Sequence, residues 1–152
     1  MSRVRIALPT ALTALVFIAV IAGGHALAGP STPSTTPLGP GDATMRITIE
    51  HSRFSPEHVS VRPGTTVRFV IDNRDPIGHE FIVGDAEVHR RHEAGTEPVH
   101  PPRPGEVSIP AETSAETTFT FPGTAADSVV YACHLPGHFR YGMAGSVDIV
   151  PA

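Results

Sequence analysis

The sequence predicts an all-β fold, a sandwich or barrel of about eight short strands. Apolar residues alternate with polar ones in short runs, which is the period of a half-buried strand. Turn residues such as Pro63-Gly64 and Pro122-Gly123 separate these runs at regular intervals. Short strands at such spacing, without a long helical pattern between them, are typical of antiparallel sheets packed face to face. A chain of 152 residues is long enough for one such domain.

Eight runs carry the strand pattern. The first is the clearest, because Met45, Ile47 and Ile49 alternate strictly with polar residues. The other seven are centred on Val59 and Val61, on Val67 to Ile71, on Phe81 and Val83, on Val107 and Ile109, on Phe119 and Phe121, on Val129 to Cys133, and on Val147 and Ile149.

One polar insertion, at about residues 85–105, departs from strand character. Its first part, Asp85 to Ala94, is predicted to be a short surface helix, and the rest a Pro-rich loop. His89 and His92 are three residues apart and would share one face of that helix. The pattern leaves two interpretations open, a solvated polar surface, which we prefer, and a second, weaker metal site. The second would also draw on Glu87, Glu93 and His100.

The first 28 residues have the features of a secretory signal peptide. Arg3 and Arg5 precede an apolar run from Ile6 to Ala22, and Ala26-Leu27-Ala28 offers small residues for cleavage after Ala28. An uncleaved membrane anchor is the alternative. It is disfavoured because 17 residues span only ~25 Å as a helix, less than the ~30 Å hydrocarbon core of a bilayer.

Three segments are therefore predicted. Residues 1–28 form the signal peptide, residues 29–43 a flexible tether rich in Pro, Ser and Thr, and residues 44–152 the folded domain. The protein is expected to be exported, to the periplasm or to the extracellular space or cell surface. Contact with a membrane is expected only if the N-terminal segment stays uncleaved.

The charge balance argues against nucleic-acid binding. Loss of the signal peptide removes two of the 11 basic residues, so nine arginines remain against 15 acidic residues, a formal charge of −6. The chain contains no lysine and no basic patch. We therefore expect no nucleic-acid partner.

A short loop near the C terminus carries a candidate metal site. Cys133, His138 and Met143 follow each other at intervals of five residues, and Gly137 and Gly142 each precede a candidate ligand. A thiolate, an imidazole and a thioether suit copper, which accepts a trigonal plane of two His and one Cys with a weak axial Met. Cys133 is the only cysteine, so in an oxidising compartment it has no intramolecular disulfide partner and metal binding would occupy it.

His79 is the best candidate for the missing second histidine. Side chains alternate across a strand, and His79, Cys133 and Met143 each lie in step with the core-facing residues of their own strand. Three strands would therefore deliver inward-pointing ligands to one end of the sandwich, while His138 comes from the loop itself.

The loop, together with Gly78-His79-Glu80-Phe81, resembles the cupredoxins, the blue (type 1) copper proteins. The resemblance extends over about Thr44 to Val150. It implies a Greek-key β-sandwich with one copper ion at one end, and its ligands would be His79, Cys133, His138 and Met143. It also implies one-electron transfer between larger redox proteins.

One residue beside the first histidine departs from the cupredoxin pattern. Glu80 stands where many members have Asn or Ser, although the backbone N–H that bonds the cysteine sulfur there needs no particular side chain. The Glu80 carboxylate is expected to tie the two ligand loops together.

Cys133-His134 followed by His138 also resembles the last motif of multicopper oxidases, but the chain has no His-x-His pair and Ala132 replaces their histidine. We therefore expect no enzyme, and an exposed His134.

Three functions are compatible with these patterns. The first is an exported one-electron carrier that meets cytochrome-type or oxidase-type partners at the edge of His138, on an apolar surface formed by Pro136, Phe139 and Tyr141. The second is a copper-binding protein for copper storage, delivery or resistance. The third is a structural β-sandwich with incidental histidines.

Overall fold

The computed structural model describes residues 36–95, 100–124 and 128–151. The predicted signal peptide, 1–28, and the first part of the predicted tether, 29–35, lie outside these ranges. Across the described part of the chain we find nine strands and one α-helix, and no helix there is long and apolar enough to cross a membrane. The elements are β1 (Asp42–Glu50), β2 (Arg53–Ser55), β3 (His58–Val61), β4 (Thr66–Asn73), β5 (His79–Gly84), α1 (Ala86–Glu93), β6 (Glu106–Ile109), β7 (Ser114–Thr120), β8 (Val129–Ala132) and β9 (Ala144–Ile149).

Within the described ranges the strands form two sheets. One has the order β2-β1-β4-β7 and the other the order β3-β9-β8-β5-β6. The all-β prediction is confirmed, but the expectation of purely antiparallel sheets is wrong, because β1 pairs with β4 and β3 pairs with β9 in parallel. Alternation along a strand indicates which face is buried, but not the direction of its neighbour. The short strand β2 was also not predicted.

The predicted core residues fill the space between the sheets. Phe81 of β5 is fully buried, and its ring meets those of Phe54, Phe69 and Tyr131 at centroid distances of 5.7, 5.0 and 5.3 Å. Such offset and edge-on contacts favour one arrangement of aromatic rings beyond the burial of their area. They join β5 to β8 and to strands of the opposite sheet, and Tyr131 of β8 also meets Phe54 there, so the ligand-bearing strands are packed against the other sheet.

Strand β5 is buried along its whole length, on both faces. One face points into the core, and α1 approaches the other so closely that a Cβ on Gly84 would lie 2.8 Å from the side chain of Val88. Asp85 caps the helix by accepting the N–H groups of Glu87 and Val88. The predicted helix in the insertion is thus confirmed, but it covers β5 and is not merely a solvated surface element.

The segment before residue 44 is more ordered than the predicted tether. Strand β1 already begins at Asp42. Further upstream, the N–H of Leu38 donates to Ser60 O at 2.9 Å, and Leu38 O accepts the N–H of Arg62 at 2.8 Å. The tether was predicted from low apolar content, but backbone hydrogen bonds need no apolar side chains. The expectation of flexibility is therefore wrong for residues 38–43.

Three adjacent strands bring the candidate ligands to one edge. In the five-stranded sheet β8 lies between β5 and β9, antiparallel to both. Ala132, the last residue of β8, pairs with Ile82 on one side and with Ala144, the first residue of β9, on the other. The start of β5, the end of β8 and the start of β9 therefore share one edge, next to His79, Cys133 and Met143.

Candidate metal centre

Three of the four predicted ligands converge on one point. The sulfur of Cys133 lies 3.2 Å from Nδ1 of His138 and 4.0 Å from Nδ1 of His79. The two Nδ1 atoms are 3.3 Å apart. Cys133 and His79 are buried, whereas His138 is partly exposed. One sulfur and two imidazole nitrogens thus face a common centre beneath the surface.

Met143 lies beside this group. Its side chain is buried in the same apolar cluster that contains Cys133. Its backbone is bonded to the other ligands, because Met143 O accepts the N–H of Cys133 at 3.2 Å and the Met143 N–H donates to His138 O at 3.0 Å. The backbone of Met143 is therefore held next to Cys133 and His138, and its side chain is packed in the same core cluster as Cys133.

The ligand loop is compact because two glycines adopt left-handed backbone conformations. Gly137 and Gly142 have φ angles of 89° and 90°, which side-chain-bearing residues adopt only with strain. Between them, residues Phe139–Tyr141 form a 3₁₀ turn. The chain can therefore leave β8 at Cys133 and return at Met143, ten positions later.

The environment of the Cys133 sulfur keeps it protonated until something replaces the proton. Burial raises the pKa of the thiol to about 11, although N–H groups of Glu80 and Leu135 oppose the rise. The Glu80 N–H points at the sulfur from 3.3 Å, so the expected backbone bond at this position is confirmed. A metal ion removes such a proton outright when it binds the thiolate.

Glu80 also ties the two ligand segments together through its side chain. Its carboxylate accepts the backbone N–H of His134 at 3.3 Å. Glu80 is buried next to His79, and His134 directly follows Cys133. The predicted bridge is confirmed, and it fixes the separation of β5 and the loop independently of any metal.

Asp75 orients His79, a role that was not predicted from the sequence. Nε2 of His79 lies 2.9 Å from Oδ2 of Asp75. A carboxylate only accepts, so Nε2 carries the proton and Nδ1 presents its lone pair toward Cys133. Burial lowers the pKa of His79, an effect that Asp75 partly opposes, and the imidazole is therefore neutral at pH 7. This is the protonation state that a metal ligand needs.

Asp75 itself is held by the turn before β2. Its two oxygens accept the N–H groups of His51 and Ser52, each at 2.7 Å. Burial alone would raise its pKa, but these two bonds and His79 more than offset that, so the pKa lies below its usual value. The sequence did offer one sign of this role, because Asp75 lies four residues before the candidate ligand His79. We had interpreted that stretch only as the end of a strand.

Three histidines, His89, His92 and His134, lie together behind the centre. Two expectations were wrong here, the exposure of His134 and the solvation of the helix histidines. His134 is half-buried rather than exposed, with its Nε2 2.8 Å from Nδ1 of His89. Its ring also lies near those of His92 and Phe139, at centroid distances of 5.7 and 5.0 Å. Burial lowers the pKa of His134 to about 4, with a smaller contribution from the positive charge that the neighbouring His89 and His92 carry when protonated. His51 and His58 are exposed.

The helical spacing suggested that His89 and His92 belong to one site, but in the structure they do not. Its Nε2 donates to Val130 O at 3.1 Å, and its Nδ1 faces His134, so both nitrogens are engaged. Both helix histidines are buried, which overturns the preferred interpretation of a solvated surface. Sequence period placed them on one face, but it did not show that α1 turns this face toward β5 and the ligand loop.

The donor set fits copper better than the other common ions. One thiolate sulfur and two imidazole nitrogens in a plane, with a buried methionine nearby, are the ligands of a type 1 copper site. Structural zinc sites instead use four strong donors, and calcium or magnesium sites use oxygen. Fold and site together define a β-sandwich with a candidate copper centre at its edge.

Comparison with known proteins identifies the family. A family model described as the cupredoxin-like domain matches residues 11–106, more than half of the chain. The chain belongs to the cupredoxin-like family, and the Greek-key sandwich inferred from the resemblance is its fold. The match ends before Cys133, so it supports the fold and the His79 region but does not extend to the ligand loop.

Two curated relatives carry the same name. The copper-resistant cuproprotein CopI of Rubrivivax gelatinosus is 38% identical over 138 residues, which cover 84% of this chain and 79% of that protein. The copper-resistant cuproprotein CopI of Pseudomonas aeruginosa is 26% identical, covering 90% and 94%.

Solved structures show the same fold. Auracyanin from Roseiflexus castenholzii, in its dithionite-reduced form, superposes with a TM-score of 0.57 at 22% identity, covering 71% of this chain and 97% of that one. Auracyanin A from Chloroflexus aurantiacus, described as a "blue" copper protein, gives a TM-score of 0.56 at 25% identity, covering 72% and 100%.

Replacing Asp75 by Asn should weaken copper binding. An amide has one acceptor oxygen for the three N–H donors that now converge on Asp75, so His79 loses its fixed orientation. We expect a loss of Cu(II) affinity of about 10- to 100-fold, measured by competition with a chelator. Asp148→Asn, on an exposed position of β9, is the matched control. Native affinity in a folded Asp75→Asn variant would contradict the role given to Asp75.

Copper affinity should rise with pH. Below the pKa of about 11 the Cys133 thiol is protonated, so binding releases its proton. The pKa of His79 lies below its usual value, so this residue is already neutral above pH 7 and adds nothing to the slope. Between pH 7 and 9 the apparent affinity should increase about tenfold per pH unit. A chelator competition corrected for the chelator's own protonation measures this, and a flat profile would contradict thiolate binding.

Proposed function

We propose that this chain is an exported, mononuclear type 1 copper protein that serves copper resistance. Each chain would hold one copper ion through Cys133, His79 and His138, with Met143 as the weak axial ligand. The observation that carries the proposal is the convergence of Cys133 Sγ and the two Nδ1 atoms within 4.0 Å of one another. Bound copper would supply a Cu(II)/Cu(I) couple.

The role in resistance rests on the curated relatives. The proteins at 38% and 26% identity are both named for copper resistance, and they align with most of this chain. A buried thiolate beside two imidazoles would hold copper strongly, since soft sulfur donors favour this metal. The ligand groups are already in place through Asp75 and Glu80, so little ordering would oppose binding.

Export and the absence of catalysis are part of the proposal. The N-terminal pattern of residues 1–28 supports export, to the periplasm or beyond. A single mononuclear centre without a His-x-His pair supports a protein that binds copper and is not an enzyme. The signal peptide, the shortened tether and the copper domain would be its three segments.

The proposal is tested by adding one equivalent of Cu(II) to the purified protein. The native chain should develop an intense blue or green colour, because a copper–thiolate bond absorbs strongly in the visible range. Cys133→Ser should remain nearly colourless, while His58→Ala, at an exposed histidine, should behave as the native chain. In a host strain that lacks the protein, only the native chain and His58→Ala should restore growth in excess copper.

Two outcomes would contradict this proposal. A colourless native mixture would exclude type 1 copper. Full restoration of growth by Cys133→Ser would show that copper resistance does not depend on the Cys133 centre.

Electron transfer remains a second candidate, favoured by the surface beside His138. Tyr141 has a large aromatic side chain with 83% of its surface exposed, and Pro136 is also exposed. The ring of Phe139, expected on this surface, is instead half-buried against His134 and His89. An exposed aromatic ring near a partly exposed ligand suits brief contact with a cytochrome-type or oxidase-type partner.

Tyr141→Asp should distinguish this second candidate. If partners meet the protein at this surface, the variant should exchange electrons with a reduced cytochrome several-fold more slowly while keeping its colour. Thr118→Asp places the same charge on an exposed position of β7, in the other sheet, and should leave the rate unchanged. Equal rates for Tyr141→Asp and the native protein would argue against docking at this surface.

A further inference from the structure

A second group of metal-binding side chains lies apart from the Cys133 centre. His92 near the end of α1, His100 in the loop that follows, and Glu106 at the start of β6 come together in space. Their ligand atoms all lie within 4.8 Å of one another. The three side chains are only 1%, 2% and 8% exposed. Buried ionisable groups of this kind need either mutual pairing or a bound ion.

The hydrogen bonds of this group leave one donor atom unused. His100 Nδ1 lies 2.8 Å from Pro101 O, and a carbonyl only accepts, so Nδ1 carries the proton. In the neutral ring His100 Nε2 then presents a lone pair, and within the described residues this buried atom has no hydrogen-bond partner. It lies 3.8 Å from Glu106 Oε2, where two groups without a shared proton gain nothing from each other. A buried lone pair facing a carboxylate is the arrangement that a cation would satisfy.

His92 and Glu106 supply the other two donors. Nε2 of His92 lies 3.0 Å from the same Oε2, so they share a proton in the absence of an ion. An ion in that position would replace this proton. In a tetrahedral site with bonds near 2.1 Å, neighbouring ligand atoms are roughly 3.4 Å apart. Two of the three separations, 3.0 and 3.8 Å, bracket that value, and the third is no greater than 4.8 Å, so side-chain shifts without a backbone rearrangement would suffice.

We propose that His92, His100 and Glu106 form a second metal site for a divalent transition ion of the Cu(II) or Zn(II) class. Two imidazoles and one carboxylate are borderline and hard donors, unlike the thiolate of the first centre, and they suit the divalent ions. Among these, Cu(II) binds such donors most strongly. The site goes beyond the proposed function, since it uses none of the ligands of the Cys133 centre.

Arginine side chains set the expected strength of this site. Arg91 Nη2 contacts Glu106 Oε1 at 2.5 Å, which leaves Oε2 turned toward the histidines. Arg103 Nη1 lies 3.5 Å from Oε2 and would oppose a cation there. The same arginines neutralise Glu106 when no ion is bound, so its buried carboxylate is not left unpaired. The second site should therefore bind more weakly than the first.

The two sites are neighbours through His134. The ring of His92 stacks on that of His134 at 5.7 Å and 24°, and His134 directly follows Cys133 in the chain. Because the two groups share no ligand, the occupation of each site can be followed by its own spectroscopic signal.

The test adds a second equivalent of Cu(II) to protein that already holds one, and records the EPR spectrum. The native protein should show a second signal with nitrogen splitting from imidazoles, distinct from that of the thiolate-bound ion. His100→Ala should lose this signal and bind the second equivalent at least about tenfold more weakly. His58→Ala, at an exposed histidine outside the cluster, should keep it. A large excess of Zn(II) should reduce the second signal but leave the first.

The colour of the first centre reports whether each variant is folded. If His100→Ala does not fold, His100→Gln and Glu106→Gln replace side chains of similar size and should lose the second signal alone. A second signal that survives in folded variants of His100 and of Glu106 would overturn the proposal. A native protein without a first, coloured centre would instead contradict the proposed function, whereas the second signal could still be measured.

Discussion

The pairing of β8 with β5 and β9 is the constraint on which the site depends. Because β8 is antiparallel to both neighbours, its end lies where they begin. Cys133 therefore emerges between the start of β5 and the return of the ligand loop at Met143. The cost of this placement is a buried thiol with a raised pKa of about 11. The polypeptide stabilises the neutral, protonated form, and a soft metal ion is the natural replacement for that proton.

Much of the fold and of the candidate site follows from the sequence. Alternation of apolar residues predicts eight of the nine strands found in the described ranges, because side-chain period reflects burial directly. The same parity argument brought His79 to Cys133, and the structure places both together with His138 of the loop. The bounds of α1 were predicted as well, since its cap at Asp85 and its polar sequence are local features.

The remainder depends on partners that are distant in the sequence. Parity does not show the direction of a neighbouring strand, so the parallel pairing of β1 with β4 was missed. It does not show what covers a helix face either, so the burial of His92 and His134 was not expected. Asp75 and Glu106 were overlooked for the same reason. Each is an ordinary acidic residue until the fold brings an imidazole nitrogen within 3.0 Å.

The coordination of a single bound copper ion is the most direct test of this account. X-ray absorption at the copper edge of protein loaded with one equivalent of Cu(II) measures the donor atoms directly. One sulfur and two nitrogen donors close to the metal are predicted, from Cys133, His79 and His138. The sulfur contribution should vanish in Cys133→Ser. A spectrum with only nitrogen and oxygen donors in the native protein would contradict the central claim.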